Sequence, residues 1–403
     1  MKRCIICWSV LWLTAPAWAS DWLQFRGPDG QGIAHETNLP EKWSQTENVR
    51  WKVDLPGRGL SSPVIANGRV FVTACSGPTQ SRLHVLCFDL ATGKKLWERQ
   101  FWATGSTSCH PKTNMAAPTP VSDGKYVYAL FATCDLACLD ADGNLQWYRA
   151  LRKDYPTVSN NVGMAASPII WNDLLIIQME NVGESFAAGI DKRTGQNRWK
   201  IDRGKIINWV TPIVVRHNGQ PQLLLQSPDQ MTAHDPRTGK ELWSFKPESG
   251  LATIPSSTAG DDLILVPGGE LLALKPKNKG EPEVVWTSNR LKPATATPVS
   301  YGGRIYSVNS AGVLNCAEAA TGKILWQERL KGPYSASPII ADGKLYIVNE
   351  AGTTAVVQLG DEPKVLAMND LGETILGTPS FADGAIFLRS DEHLYCIGNK
   401  QQP

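Results

Sequence analysis

Beyond its first residues the sequence has no long hydrophobic run, whereas a membrane-spanning helix needs about 20 consecutive apolar residues. It also has no block of charge of one sign, since its 40 Lys and Arg are interspersed with 38 Asp and Glu. A chain so close to neutral gives no electrostatic reason to expect nucleic acid or an anionic membrane as its partner.

The N-terminus has the three parts of a secretory signal peptide in residues 1–19. Lys2 and Arg3 give it a positive start, an apolar run follows, and Ala17-Trp18-Ala19 reads A-x-A. We expect cleavage between Ala19 and Ser20, which removes both charges and leaves a neutral periplasmic or secreted protein. Ser20 stands where a lipoprotein would carry cysteine, so the sequence predicts no lipid anchor.

Motifs of several enzyme classes are missing as well. There is no G-x-S-x-G nucleophile elbow, and the six histidines are scattered with no H-E-x-x-H spacing. A C-x-x-C-H haem site is excluded because Ser106 stands where the pair Cys109-His110 would need another cysteine. The sequence therefore predicts no catalytic residue and no metal site.

What the chain has instead is a repeat. Each copy begins near a Pro, continues through short alternating strands, and ends as Asp89…Thr92-Gly93…Trp97 does. The copies start at Pro63, Pro120, Pro168, Pro212, Ser257, Pro298, Pro338 and Pro379. The repeat tryptophans are Trp51, Trp97, Trp147, Trp199, Trp243, Trp286 and Trp326. A period of about 40 to 45 residues with four short strands is that of a β-propeller blade.

The Trp positions also predict how the ring closes. The copy that starts at Pro379 has no Trp, whereas Val49–Val53 carries one upstream of the first copy. We therefore predict an all-β, eight-bladed propeller over residues 49–403, monomeric, closed by an N-terminal strand and preceded by an extension over residues 20–48. In the seventh copy, Val365-Leu366 occupies the place where Trp is expected.

The Thr-Gly…Trp endings resemble the tryptophan-docking repeats of the pyrroloquinoline-quinone-like (PQQ-like) eight-bladed propellers, over residues 49–397. The stretch Trp22–Gly32 resembles the opening of secreted bacterial members of that family. The resemblance implies a non-catalytic scaffold that presents one face to a protein or glycan. Its nearest functional analogue is the propeller lipoprotein of the outer-membrane β-barrel assembly machine.

The alternative that the resemblance implies is a PQQ-dependent oxidoreductase with a calcium ion. Many such enzymes carry two adjacent cysteines stacked on the quinone, and this chain has no Cys-Cys pair. We therefore predict no cofactor. Propellers host many unrelated functions, so the fold alone does not decide between these alternatives.

Four cysteines occupy equivalent places in the repeat: Cys87, Cys138, Cys316 and Cys396. Packed sheets lie about 10 Å apart, whereas a disulfide needs Cα atoms within about 7 Å. We therefore expect these four to be buried free thiols, and leave a bridge between Cys75 and Cys87 open.

Two of the links between copies are unusually long, and binding sites favour long loops on rigid scaffolds. We predict that loops 98–117 and 148–166 are neighbours at the mouth of the channel. The candidate binding residues are Cys109, His110, Lys112, Asn114, Asn160, Asn161 and Trp209. Two alternatives remain open: the loops plug the channel with their Asn side chains capping turns, and Trp209 packs between blades.

Overall fold

The computed structural model describes residues 21–159 and 161–399, so the predicted signal peptide and its cleavage site lie outside it. Within these residues, the strands form eight four-stranded antiparallel sheets. The first strands of neighbouring blades contact each other and so surround the central axis. The predicted eight-bladed propeller is confirmed.

Each blade uses four strands that run from the axis to the rim. Blade one has β2 Val64–Ala66, β3 Arg69–Ser76, β4 Arg82–Asp89 and β5 Lys95–Trp102; blade two has β6 Val121–Ser122, β7 Tyr126–Leu130, β8 Asp135–Asp140 and β9 Leu145–Ala150. Blade three has β10 Ile169–Trp171, β11 Leu174–Met179, β12 Phe186–Asp191 and β13 Asn197–Asp202; blade four has β14 Ile213–His217, β15 Gln220–Ser227, β16 Gln230–His234 and β17 Glu241–Phe245.

The remaining blades follow the same order. Blade five has β18 Thr258–Gly260, β19 Leu263–Pro267, β20 Leu271–Lys275 and β21 Glu283–Ser288; blade six has β22 Val299–Tyr301, β23 Arg304–Val308, β24 Val313–Glu318 and β25 Ile324–Arg329. Blade seven has β26 Ile339–Ala341, β27 Lys344–Val348, β28 Thr353–Gln358 and β29 Lys364–Asp370; blade eight has β30 Ser380–Ala382, β31 Ala385–Arg389, β32 His393–Gly398 and β1 Val49–Asp54. A short helix α1, Leu151–Asp154, follows β9.

The propeller has two different faces. The turn face carries the hairpins between first and second strands, such as Asn67-Gly68, where both residues have positive φ. Asn-Gly suits such a two-residue turn because Gly has no Cβ to clash there. The opposite face, here called the loop face, carries the crossings from each outer strand to the next blade.

The repeat tryptophans join neighbouring blades, as predicted. The indole of Trp97 donates to the carbonyl of Ala141 in the next blade at 2.8 Å. It also packs on Gly143, where a Cβ would lie only 2.6 Å from the indole ring. The Thr-Gly turns therefore need glycine partly because an indole occupies the space of a side chain.

Ring closure follows the same rule. Strand β1 pairs with β32, and Trp51 lies opposite Cys396. The indole of Trp51 donates to the carbonyl of Leu90 in blade one at 2.9 Å and packs on Gly93. The predicted closure by an N-terminal strand is confirmed.

Blade seven needs a correction of register. Ala367, and not Val365-Leu366, pairs with Val356 in the place that Trp holds in other blades. A bulge in the fourth strand, between those two pairs, shifts the position. Tyr346 of the same blade stacks on Trp43 from the extension, with ring centroids 6.5 Å apart. The extension therefore supplies an indole to the blade that lacks its own.

All seven cysteines among the described residues are free thiols, and six of them are buried. The four repeat cysteines therefore lie apart, as expected. Cys75 lies opposite Leu83 and Cys87 lies opposite Phe71, so the pair left open is four residues out of register. Among the described residues, no helix is long and apolar enough to cross a membrane.

Candidate functional site

The two long crossings meet on the loop face, as the sequence predicts. The N–H of His110 donates to the carbonyl of Val162 at 3.2 Å. The hydroxyl of Ser108 donates to the carbonyl of Asn161 at 3.0 Å. Both loops are shorter than predicted, because residues 98–102 belong to β5 and residues 148–150 to β9.

The first of these loops reaches beyond its own blade. The ammonium of Lys112 lies 2.8 Å from a carboxylate oxygen of Glu350 in blade seven. The guanidinium of Arg58, which precedes blade one, donates to the carbonyl of Pro111 at 3.5 Å. Lys112 is therefore paired within the protein and is less available to a ligand than the sequence implies.

Cys109 and His110 do not converge on a common centre. Cys109 is half-buried, its thiol donates to the carbonyl of Thr113 at 3.6 Å, and burial raises its pKa. His110 is exposed, and its Nδ1 accepts from the N–H of Lys112 at 3.1 Å. The described part of the chain has no group of three or more His, Cys, Asp or Glu arranged to hold a metal ion.

The asparagines divide in the same way. Asn114 is buried, and its side-chain oxygen accepts from the N–H of Ala116 at 2.9 Å, so it caps a turn. Asn161 is exposed and contributes its backbone carbonyl to the contact between the loops. Asn160 lies outside the described residues.

Trp209 joins the rim of the loop face, where its indole donates to the carbonyl of Gly163 in the second loop at 2.8 Å. Around it lie three exposed aliphatic side chains: Val182 at 59%, Ile206 at 40% and Ile254 at 39% exposure. These four residues are here called the apolar patch. Sequence reasoning found only Trp209, because the other three lie in different blades' loops and share no spacing.

A buried polar network supports the apolar patch. The guanidinium of Arg203 lies 2.8 Å from a carboxylate oxygen of Glu180, and both side chains are almost completely enclosed. The amide of Asn208 donates to the other oxygen of Glu180 at 3.0 Å, and Ser227 also donates to the carboxylate. Because the buried charges are paired and hydrogen-bonded, this network holds the backbone next to Trp209 in one arrangement.

A second chain of polar groups lies within blade one. The hydroxyl of Ser76 is 2.7 Å from Nε2 of His84, whose Nδ1 is 2.8 Å from Glu98. The order resembles that of a nucleophile, base and acid. However, the imidazole is buried, and the three residues belong to adjacent strands β3, β4 and β5. The arrangement therefore ties together the ends of three strands.

A ring of hydroxyl groups surrounds the axis, and the sequence analysis missed it. In each blade a Ser or Thr precedes the first strand, and the backbone N–H of one donates to the hydroxyl of the next, as from Thr119 to Ser167 at 3.0 Å. The hydroxyl ring consists of Ser62, Thr119, Ser167, Thr211, Ser256, Thr297, Ser337 and Thr378, joined by seven such bonds. The recurring Ser/Thr-Pro pair was its signal.

The N-terminal extension crosses the axis on the turn face. Trp22 exchanges backbone hydrogen bonds with Ile65 in blade one, and Gln31 accepts from Ala259 in blade five at 2.6 Å. Blades one and five are opposite each other in the ring. Phe25 lies between these anchors and lines a channel cavity of about 120 Å³ together with the hydroxyl ring. The extension, and not the long loops, therefore blocks the channel.

The channel cavity does not fit the alternative cofactor. It is smaller than the roughly 300–1,000 Å³ of pockets that hold drug-sized ligands. A calcium ion takes six to eight oxygen ligands, usually with several carboxylates. The residues lining the cavity include no Asp or Glu. These residues would not hold a tricyclic quinone with its calcium ion.

A protein-family model described as "Outer membrane protein assembly factor BamB" matches residues 42–214 and 278–362. These ranges cover more than half of the chain, which therefore belongs to this family of PQQ-like repeat propellers. A curated relative, the outer membrane protein assembly factor BamB of Moranella endobia (strain PCIT), is 24% identical over 179 residues. That match spans 42% of this chain and 41% of the relative, less than half of its length.

Solved structures share the fold. The crystal structure of BamB from Moraxella catarrhalis has a TM-score of 0.63 at 13% identity, over 88% of this chain and 98% of that one. Quinohemoprotein alcohol dehydrogenase from Comamonas testosteroni has 0.68 at 12%, over 95% and 81%. A europium-containing methanol dehydrogenase has 0.68 at 11%, over 91% and 89%. At such low identities the likeness shows the fold alone.

Proposed function

We propose that this chain is an exported, non-catalytic scaffold of the periplasm that takes part in outer-membrane protein assembly by binding a protein partner on its loop face. Family membership supports the biological process, since the family model is described as an outer membrane protein assembly factor. The apolar patch is the observation that supports the face and the kind of partner.

The apolar patch has the properties of a protein-binding surface. Apolar side chains that are exposed together on a soluble protein commonly mark an interaction site. Interfaces are built around buried aromatic anchors with less important contacts around them. Trp209 is such an anchor, and the network of Glu180 and Arg203 fixes its position before any partner arrives. Three aliphatic groups favour a protein over a glycan, because sugars present mostly hydroxyl groups.

The experiment is affinity co-purification of partners from native cell envelopes, using variants of the patch. We expect Ile206→Asp and Ile254→Asp each to reduce recovery of the partner at least tenfold, because each buries a charge in the interface. Val284→Asp is the matched control, since Val284 is similarly exposed at 42% but lies on outer strand β21. Its recovery should equal that of the unchanged protein.

Thermal unfolding of all three variants separates binding from stability. Each should melt within about 2 °C of the unchanged protein, because substitutions at exposed positions usually alter stability by under about 0.5 kcal/mol. Undiminished recovery with both patch variants would contradict the proposed face. The absence of outer-membrane assembly proteins among the recovered partners would contradict the proposed process.

A further inference from the structure

The hydroxyl ring has donors that nothing in the protein accepts. Seven of its hydroxyl oxygens each accept one backbone N–H, and none of them donates to an acceptor among the described residues. Ser62 is almost fully buried, and its hydroxyl has no partner at all. A hydroxyl has one hydrogen to donate. The ring therefore directs a set of free O–H groups at one cavity.

Two positive charges near the channel have no carboxylate partner. Arg26 follows Phe25 on the turn-face side, is 1% exposed, and donates only to backbone carbonyls, such as that of Pro298 at 2.7 Å. Burial lowers its pKa to about 9. A cavity of about 180 Å³ lined by Arg26 shares Phe25, Thr211 and Ser256 with the channel cavity.

The second charge lies on the loop-face side. Arg389 is 2% exposed, and none of its three side-chain nitrogens has a hydrogen-bond partner. It packs so closely on Gly59 that a Cβ there would clash with the guanidinium. The nearby carboxylate of Asp391 is paired with Arg58 at 3.0 Å. A buried charge without a partner is costly, so an anion nearby would be stabilising.

The mouth of the channel has a different chemistry. Two positions before each hydroxyl of the ring lies one residue of the rim, and four of these are large and apolar: Leu60, Trp209, Ile254 and Leu376. All four are partly exposed. A ligand entering from the loop face thus meets an apolar rim first and O–H donors next. The cavity has the volume of about four water molecules at roughly 30 Å³ each.

We propose that the channel binds a small carboxylate with an apolar tail, with its carboxylate accepting hydrogen bonds from the hydroxyl ring and its tail packed against the apolar rim. This chemistry has two possible sources: a free short-chain monocarboxylate, or the C-terminus of a polypeptide that ends in an apolar residue. The site is independent of the proposed function and lies inside the ring, whereas the apolar patch lies mostly outside it.

Isothermal titration calorimetry on the purified full-length protein tests the proposal. The probes are butanoate, its neutral analogue butanamide, the peptide acetyl-Gly-Gly-Leu with a free carboxylate, and the C-terminal amide of that peptide. At least one acid should bind at least tenfold more tightly than its amide. Binding of butanoate assigns a free carboxylate, whereas binding of the peptide acid alone assigns a polypeptide C-terminus. Equal binding of acid and amide, or no binding of either acid, would overturn the proposal.

Variants locate the site. Ser256→Ala combined with Thr297→Val removes two ring hydroxyls and should weaken binding of the acid at least fivefold. Arg389→Met leaves the ring intact and should also weaken it, because an uncompensated charge is lost. Thr354→Val is the control, since Thr354 carries a buried hydroxyl without a partner in β28, away from the channel. Unchanged affinity in either the double variant or Arg389→Met would refute the assignment.

Discussion

Replacing Trp51 with alanine tests how the ring is held closed. Trp51 is the residue of the N-terminal strand that contacts blade one, through its bond to Leu90 and its packing on Gly93. Within its own blade it also packs against Phe387, with ring centroids 5.9 Å apart. Its side chain is 8% exposed, so almost its whole surface is removed from water. Removing it therefore opens a cavity between the first and last blades.

The expected loss can be estimated from burial. An indole buries about 150–250 Å², and at about 25 cal/mol per Å² this corresponds to roughly 4–6 kcal/mol as an upper value. Measured truncations of buried Trp or Phe to Ala cost about 3–5 kcal/mol. We therefore expect Trp51→Ala to lower the free energy of unfolding by about 3–5 kcal/mol in urea titrations followed by tryptophan fluorescence.

Trp102→Ala is the matched control. Trp102 also lies on a fourth strand, β5, but is 66% exposed and contacts mainly the guanidinium of Arg82, 5.3 Å from its ring centre. An exposed cation–π contact contributes about 0.5–1 kcal/mol. If Trp51→Ala costs no more than Trp102→Ala, the indole does not close the ring and the reasoning is refuted.

Three other predictions concern stability and the thiols. Thiol counting on denatured, unreduced protein should find the repeat cysteines free, and a disulfide joining any two of them would contradict the blade register: Cys87, Cys138, Cys316 and Cys396. Glu180→Ala should cost about 3–5 kcal/mol in urea titrations, because it leaves Arg203 buried without a partner; a cost below about 1 kcal/mol would show that the pair is not enclosed. Hydrogen bonds to Glu373 lower its pKa to about 2, so its stabilising contribution is present above pH 4.5 and is lost as the pH falls towards 2. Glu373→Gln should therefore show a smaller fall in melting temperature over that range, and an equal fall would count against this role.

The repeat explains why so much of the fold could be predicted. Each copy carries the same turn and the same Trp, so a single copy read correctly gives the others. Trp51 could be assigned to blade eight because the copy at Pro379 lacked its own Trp. The register of blade seven could not be predicted, since neither Val365 nor Ala367 carries an indole and the bulge between them leaves no mark in the sequence.

The site was predicted less completely, for a physical reason. The contact between the two long loops could be expected from their length and position. The apolar patch could not, because Val182, Ile206 and Ile254 come together only through the ring geometry. Asn114 was assigned to binding from its residue type, but its side chain caps a turn. Sequence pattern shows which residues repeat, whereas exposure depends on packing between blades.

The central claim is that a protein partner binds the loop face, and site-specific photo-crosslinking in cells tests it most directly. A photoreactive phenylalanine analogue would replace Ile206 or Ile254 on the loop face, and Asn218 or Tyr301 on the turn face, where all four side chains are exposed. The account predicts a crosslink to the same protein from both loop-face positions and none from the turn face. Crosslinks from the turn face alone, or equally from both faces, would contradict it.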